Sequence, residues 1–534
     1  MEFLKGISPR EYQIKIFETC KGQNCLVVLP TGLGKTLIAL LLVIDRINKF
    51  PGQKVLFLAP TRPLCEQHLS YFKKHLPDLF VDIDIFTGQV QASTRRKIWQ
   101  TADIIFSTPQ CISNDIKNSL YDLSEVCLLV EDEAHRCLKN YAYNYVAKQY
   151  KEQAINPRIL GLTASPGHEQ SKILDICKNL SIEHVEVRQR TSEDVKTYLQ
   201  ELQFEKVTVD FPQEFEDLRR PLKQMYESYV DELKRRNVLF GPVNKVTLLN
   251  LQNKLFASAK YNTHYNNLLA ISACSQAIRL QHALELLETQ TLTSFLSYLE
   301  NLRSQARKGQ SRGVERLVNK PEFTFLFLRT KHLLEKGYEH PKIKELLEIV
   351  KREKENNANL KVIVFTQFRE SAQIISTELN ALDNIKSKVF IGQAKRATGK
   401  VSTGLSQQEQ KAIIGDFAEG KINILCATSI GEEGLDIPEV NAVIFYEPVP
   451  SAIRKIQRAG RTARLMEGKL IILITKNTRD EAYYYASRSR EKKMYSALTL
   501  VKQGLEGNGQ QSVNTNVNTN VKLNVKNETQ KKLF

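Results

Sequence analysis

Short apolar runs alternate with amphipathic stretches through the first 190 residues, at 25–29, 55–58, 104–107, 127–130 and 159–162. Runs of that length between helical patterns predict βαβ units and a parallel sheet buried on both faces. The same rhythm returns at 362–365, 389–391, 422–426, 443–446 and 470–474, which predicts a second α/β domain. Residues 213–340 read differently. Their long Leu-, Glu-, Lys- and Gln-rich stretches at helical spacing predict an inserted helical domain. The expected organisation is α/β, with parallel-sheet domains over 1–212 and 341–505 around the insert 213–340 and an Asn-rich tail over 506–534. That tail carries seven Asn and no aromatic residue before Phe534. It cannot bury enough apolar surface to offset its ordering entropy, so disorder is expected there.

A length of 534 residues suits about three domains. With 42% hydrophobic and 25% charged residues, collagen-like, coiled-coil and wholly disordered chains are excluded. Charge changes the picture more. Lys and Arg number 76 against 59 Asp and Glu, a net +17, and such a surplus suits a polyanionic partner. Within the insert, residues 301–320 hold Arg303, Arg307, Lys308, Arg312, Arg316 and Lys320 against the single Glu315. By composition this strip reads as a solvated loop or a phosphate-binding surface. The longest apolar run, near residues 37–44, is far short of the ~18 residues needed to cross a bilayer, so no membrane association is expected. The N-terminus lacks the pattern of a secretory signal, which predicts an intracellular protein: cytoplasmic and nucleoid-associated in a prokaryote, nuclear in a eukaryote. None of the nine cysteines falls in a CxxC, so they read as reduced, mostly buried thiols.

Three segments carry candidate chemistry. Pro30-Thr31-Gly32-Leu33-Gly34-Lys35-Thr36 follows an apolar strand and opens an apolar helix, the context of a phosphate-binding loop. Its glycines let backbone N–H groups turn inward, Lys35 can reach the β- and γ-phosphates, and Thr36 can ligate Mg²⁺. Leu29 occupies the first glycine position of the longer loop signature, so only the short TGxGKT form is present. At Asp132-Glu133-Ala134-His135 two acids end a strand, where open parallel sheets bind ligands. Asp132 would hold Mg²⁺ and Glu133 would polarise the attacking water. In the second α/β domain, Arg458, Arg461 and Arg464 at i, i+3 and i+6 would share one face of a helix. That row is either a basic surface face or a source of arginine fingers.

Together these residues resemble a superfamily 2 helicase of DEAH type, with motifs in the expected order over residues 8–490. The resemblance implies two RecA-like domains, ATP and Mg²⁺ as cofactors, and ATP hydrolysis coupled to movement along nucleic acid. Arg10 and Gln13 resemble the adenine-reading segment, with Gln13 as the base contact. Gly434 and Asp436 would add to the nucleotide site, with Gln457, Arg461 and Arg464 as catalytic groups beside Glu133. His135, Thr163 and Ser165 resemble the elements that link hydrolysis to strand movement. Nucleic-acid contacts carry over to Thr61, Arg62, Thr87, Gly88, Thr108 and Gln110 in the first domain, and to Thr366, Gln367 and Thr428 in the second.

Closer phrases, LPTGLGKT, GLTASPG, SIGEEGLDIPEV and FYEPVPSAIRKIQRAGRTAR, resemble the helicase part of archaeal Hef, a relative of the Fanconi anaemia M-type translocases. In that family the insert resembles a thumb gripping duplex near a branch. The resemblance implies a DNA helicase or translocase on forked or branched DNA in replication-fork repair. Two departures stand out: Ala463 where the family has Gly, and Glu131 before the DEAH box. No ERKxxxD-type acidic cluster follows residue 505, so nuclease activity is expected from a separate polypeptide or not at all. Residues 530–534 faintly resemble a sliding-clamp motif. Two alternatives stay open: an RNA helicase or double-stranded-RNA ATPase with the same motif set, and a nucleic-acid-binding scaffold whose ATPase has decayed. The completeness of the ATP-site residues weighs against the second.

Overall fold

A computed structural model describes the chain except for residues 1–3, 78–80, 200–201, 260–264, 393–396, 399–400, 403, 429–436, 452–457, 459–461, 463–466 and 512–534. The first sheet comprises β1 (Cys25–Val28), β2 (Lys54–Leu58), β3 (Ile83–Phe86), β4 (Ile104–Ser107), β5 (Val126–Asp132), β6 (Ile159–Thr163) and β7 (His184–Val187). Its order is β3-β4-β2-β5-β6-β1-β7, with every pair parallel. Strands β1, β2, β4, β5 and β6 are buried along their whole length, because helices cover both faces. Those helices are α1 (Glu11–Gly22), α2 (Lys35–Lys49), α3 (Arg62–His75), α4 (Ala92–Thr101), α5 (Pro109–Lys117), α6 (Ala142–Gln153), α7 (Gln170–Asn179) and the single turn α8 (Glu193–Lys196).

The second sheet holds β8 (Leu202–Val209), β9 (Val362–Phe365), β10 (Ser387–Phe390), β13 (Ile424–Ala427), β14 (Ala442–Phe445) and β15 (Gly468–Thr475), in the parallel order β10-β13-β9-β14-β15-β8. A two-residue pair, β11 (Ala397–Thr398) with β12 (Val401–Ser402), stands apart. Among the described residues the insert is six helices: α9 (Gln213–Arg235), α10 (Lys245–Ala259), α11 (Tyr265–Thr289), α12 (Leu292–Arg307), α13 (Arg312–Val318) and α14 (Pro321–Glu335). Helices α15 (Pro341–Asn356), α16 (Arg369–Leu379) and α17 (Gln407–Ala418) flank the second sheet.

Two boundaries differ from the sequence expectation. Strand β8, expected in the first domain, pairs along all eight positions with β15, from Leu202↔Gly468 to Val209↔Thr475. Its alternating polar residues suit an edge, and its partner strand lies more than 250 residues downstream, so nothing local announces the pairing. At the other end, the helix Arg479–Gln511 runs past the expected limit at 505. It leaves β15 and returns to the first domain, where Met494, Ala497, Leu498 and Val501 join the core beside Ile173, Cys177 and Val185. The rest of the expected tail, with the clamp-like residues 530–534, lies outside the described residues. All nine cysteines are buried and unbridged. Among the described residues no helix is long and apolar enough to cross a membrane.

The insert joins the second domain through a buried polar junction. Lys342 Nζ donates to Asp480 Oδ2 at 2.8 Å and to the Thr289 carbonyl at 2.7 Å, with neither ionic side chain exposed. Glu447 is buried nearby, and burial pushes its carboxyl up to about 7 against the opposing charges of Lys342 and Arg458. Removing one member of such a pair strands a charge away from water. Asp480→Ala is therefore expected to lower stability by about 3–5 kcal/mol, read from the denaturant midpoint, with the doubly apolar Asp480→Leu/Lys342→Met recovering most of it. A midpoint unchanged by Asp480→Ala alone would show that the pair does not form.

Candidate nucleotide and nucleic-acid site

The phosphate loop bridges β1 and α2. Its strand continues one residue further, with Leu29 N–H bonded to the Thr163 carbonyl at 3.0 Å and the Leu29 side chain fully buried. The substitution at the first glycine position thus places a side chain in the core and leaves the loop's inner wall to backbone. Gly32 and Gly34 take left-handed conformations, φ +87° and +75°. Gly34 is required by its φ, and a Cβ there would also press on the Gln13 amide that braces the loop. Lys35 Nζ reaches the Leu29 carbonyl at 2.9 Å, and the enclosed Thr31 hydroxyl has no hydrogen-bond partner among the described residues.

Helix α1 braces this loop. Tyr12 Oη and Gln13 Nε2 both donate to the Leu33 carbonyl, at 2.9 and 3.1 Å, while Gln13 Oε1 accepts from Arg10 N–H. Gln13 was expected to read adenine directly. In the structure it is 4% exposed; its Nε2 holds the loop and its Oε1 caps the start of α1 at Arg10. Arg10 lies over the Tyr198 ring, 5.2 Å from its centroid.

Strand β5 delivers the two acids. Asp132 Oδ2 meets His68 Nε2 at 2.9 Å, and Tyr143 Oη donates to the Asp132 carbonyl at 2.6 Å. Burial pushes the Asp132 carboxyl up, but the His68 bond and charge, with Lys35, hold it below the ordinary range. Glu133 takes a left-handed φ of +53°, a strained conformation for a residue with Cβ, and its Oε2 lies 3.2 Å from His135 Nδ1. The same nitrogen is 3.2 Å from Thr163 Oγ1, which accepts Ser165 N–H. Glu133, His135, Thr163 and Ser165 are thereby brought into one chain of contacts. It extends further, because Ser165 Oγ donates to Met494 Sδ at 2.8 Å in the helix Arg479–Gln511. Glu131, next in the strand, points to the other face. Burial pushes its carboxyl well above the ordinary range, with the Cys137 thiol only partly offsetting this.

His68 and Met494 are neighbours of the site that motif reading missed, whereas Tyr12 fell inside the Arg10–Gln13 motif without a role assigned to it. His68 alone left a signal, since Leu64, His68 and Phe72 recur at helical spacing on the buried face of α3.

The first-domain nucleic-acid candidates gather at helix starts. Thr61 and Thr108 precede α3 and α5, and Arg62 Nε donates to Glu66 at 2.7 Å and also bonds Gln89, beside Thr87 and Gly88. Gln110 is exposed on the first turn of α5. Glu66 also accepts Lys411 Nζ of α17 at 2.9 Å, a direct contact between the two α/β domains. In the second domain Gln367 is exposed and Thr428 buried. Thr366 differs from expectation: it is fully buried, and its hydroxyl donates to Gln290 of the insert at 3.2 Å. Arg458 differs too. It is 1% exposed and lies over Phe365, 4.9 Å from the centroid, so it anchors the core instead of joining an exposed arginine face. Thr462 Oγ1 donates to the Val440 carbonyl at 2.6 Å. Gly434, Asp436, Gln457, Arg461, Ala463 and Arg464 lie outside the described residues.

The left-handed glycine cradle, the enclosed Thr31 hydroxyl and Lys35 fit a polyphosphate, and the hydroxyl and carboxylate of Thr36 and Asp132 fit a hard divalent cation. Known proteins agree. Residues 10–173 match the DEAD/DEAH box helicases, 341–466 the helicase conserved C-terminal domain, and 214–331 the helical bundle described for a putative ATP-dependent RNA helicase. The chain is similar to the crystal structure of the Pyrococcus furiosus Hef helicase domain, at 42% identity and TM-score 0.67 over 90% of this chain and 98% of that one. It is 39% identical to a putative ATP-dependent RNA helicase of Methanocaldococcus jannaschii over 92% of this chain and 61% of that protein. It is 32% identical to the ATP-dependent DNA helicase Fml1 of Schizosaccharomyces pombe over 92% of this chain and 59% of that protein. The chain thus spans about three fifths of the length of these two relatives.

Proposed function

The chain belongs to the superfamily 2 helicases, in the group of the Hef helicase domain, and is an ATP-hydrolysing helicase; from that premise we propose that it moves on forked or branched DNA in fork repair, with Mg²⁺ as its metal. Thr36 and Asp132 would hold the metal, which would neutralise charge on the transferring phosphoryl group. Lys35 and the loop amides bind the phosphates. Glu133 accepts the proton of the attacking water, and its His135 contact passes the change to Thr163 and Ser165. Arg461 and Arg464 of the second domain would complete the site when the cleft closes.

The observation that carries the branched-DNA reading is the cationic end of the insert. Arg307, Lys308, Arg312 and Arg316 are exposed at the α12–α13 turn, whereas Arg303 and Lys320 lie over Phe327 and Tyr229 of the insert itself. Neutralising the four exposed cations is expected to weaken fork binding and to flatten its log–log salt dependence by about 0.9 per lost phosphate contact. ATPase activity on single-stranded DNA should stay unchanged, because the motor's own grip lies in the two α/β domains. Unchanged fork affinity and salt slope would place the strip in solvent.

A second reading, an RNA helicase, is favoured by the names of the helical-bundle family and of the M. jannaschii relative. Relatives named as DNA helicases, Fml1 among them, favour the first. ATPase stimulation by forked DNA compared with duplex RNA decides between the two.

A further inference from the structure

One carboxylate in the first domain gathers two cations, one from each α/β domain. Glu66, on α3, accepts Arg62 Nε at 2.7 Å from its own helix and Lys411 Nζ at 2.9 Å from α17 of the second domain. Burial raises its carboxyl, but the bonds and charges of Lys411 and Arg62 outweigh this and hold it below the ordinary range. It is ionised and doubly paired. Both cations stay within reach of a ligand, with the side chains of Arg62 and Lys411 36% and 62% exposed.

The helices that carry these groups are firmly seated. On α3, Leu64, His68 and Phe72 are buried and His68 is bonded to Asp132, so the backbone under Arg62 and Glu66 is fixed. On α17, Gln410 is 1% exposed and its Nε2 donates to the carbonyls of Ile391 and Leu405, which anchors the helix just past β10 and next to Lys411. Two long cationic side chains meeting on one small anion form the geometry in which a backbone phosphate is held, because carboxylate and phosphate oxygens accept the same charge-assisted bonds. A further donor stands beside them. The enclosed Thr61 hydroxyl, at the start of α3, has no hydrogen-bond partner among the described residues.

We propose that Glu66 is a built-in stand-in for a DNA phosphate: without DNA it holds Arg62 and Lys411 together across the cleft, and an entering strand displaces it and takes both cations. Lys411 is then a nucleic-acid contact of the second domain. This rests on the reading of Arg62 as a nucleic-acid contact and needs no branched substrate. Exposed ion pairs are weak and screened by salt, so a phosphate can replace the carboxylate. The exchange takes place on the helix whose His68 holds the candidate metal ligand Asp132, which sets it between the DNA path and the ATP site.

The test compares Glu66→Gln with Lys411→Gln in the full chain, by fluorescence anisotropy on a labelled single-stranded oligo-dT across a salt series. A plain brace between the domains would lose the same ion pair in both variants, so the two would behave alike. The stand-in predicts opposite signs. Glu66→Gln should tighten binding by about three- to tenfold at low salt with the salt slope unchanged, since it removes a competitor and no phosphate contact. Lys411→Gln should weaken binding by about three- to tenfold and flatten the log–log salt slope by about 0.7, the loss of one single-strand phosphate contact. Melting temperatures should stay within about 2 °C in both, because the pairs are exposed. Weaker or unchanged binding by Glu66→Gln, or unchanged binding by Lys411→Gln, would overturn the proposal. Arg62→Gln checks the premise separately: unchanged affinity there would remove Arg62 from the DNA path, while opposite shifts in the other two variants would still support a phosphate displacing Glu66 from Lys411.

Discussion

Lys35→Ala is expected to reduce ATP turnover by on the order of 10²–10³-fold or more while nucleic-acid affinity stays within about twofold. The expectation follows from where the ammonium sits. Lys35 Nζ is held at the Leu29 carbonyl, inside the turn made by Gly32 and Gly34, and the candidate nucleic-acid residues lie elsewhere, at the starts of α3 and α5. Removing the amine leaves the loop's backbone intact, because α1 braces it through Leu33. Glu133→Gln should act differently. It preserves Asp132 and its His68 partner, so nucleotide affinity should persist while turnover falls. Filter binding of labelled ATP and steady-state phosphate release separate the two variants. Normal turnover in Lys35→Ala would sink the phosphate-loop assignment, and normal turnover in Glu133→Gln would move the base elsewhere.

Arg464→Ala is expected to lower kcat by roughly 10³-fold with KM for ATP nearly unchanged, as loss of an arginine finger does. Its neighbour in the row should behave in the opposite way. Arg458 is sealed against Phe365 and Phe445 and faces the buried Glu447, so Arg458→Met should remove a buried charge partner and cost about 3–5 kcal/mol of stability. The pair of variants turns one sequence pattern into two measurements, a rate and a melting temperature. If Arg464→Ala lowered only nucleic-acid affinity, the segment would be a binding face and the finger assignment would fall.

The i, i+3, i+6 spacing that joined these arginines shows where sequence reasoning stops. Spacing assigns residues to a face but not the face to solvent or core, and Arg458 went to the core. The strands divide in the same way. Every fully buried central strand of both sheets was legible as a continuous apolar run. Within the two large sheets the strands missed were β3, β7 and β8, which are all edges, where one side has no covering strand and polar residues such as Asp84, Glu186 and Lys206 are tolerated. The ATP loop and the DEAH turn were legible because their chemistry is local: glycines with positive φ and two adjacent acids. His68, Thr366 and Met494 were not, because each gains its meaning from a partner 64 to 329 positions away.

The helix that closes the chain on the first domain also sets the order in which the protein can be finished during synthesis. Strand β7 ends at Val187, yet the core beneath it is completed by Met494, Leu498 and Val501. At ~5–20 residues per second, roughly 15 to 60 s separate the two on the ribosome. Through that interval the first domain holds an open apolar face over Ile173, Cys177 and Val185. Only the helix Arg479–Gln511 covers it, so the first domain is finished late although its own strands are made early.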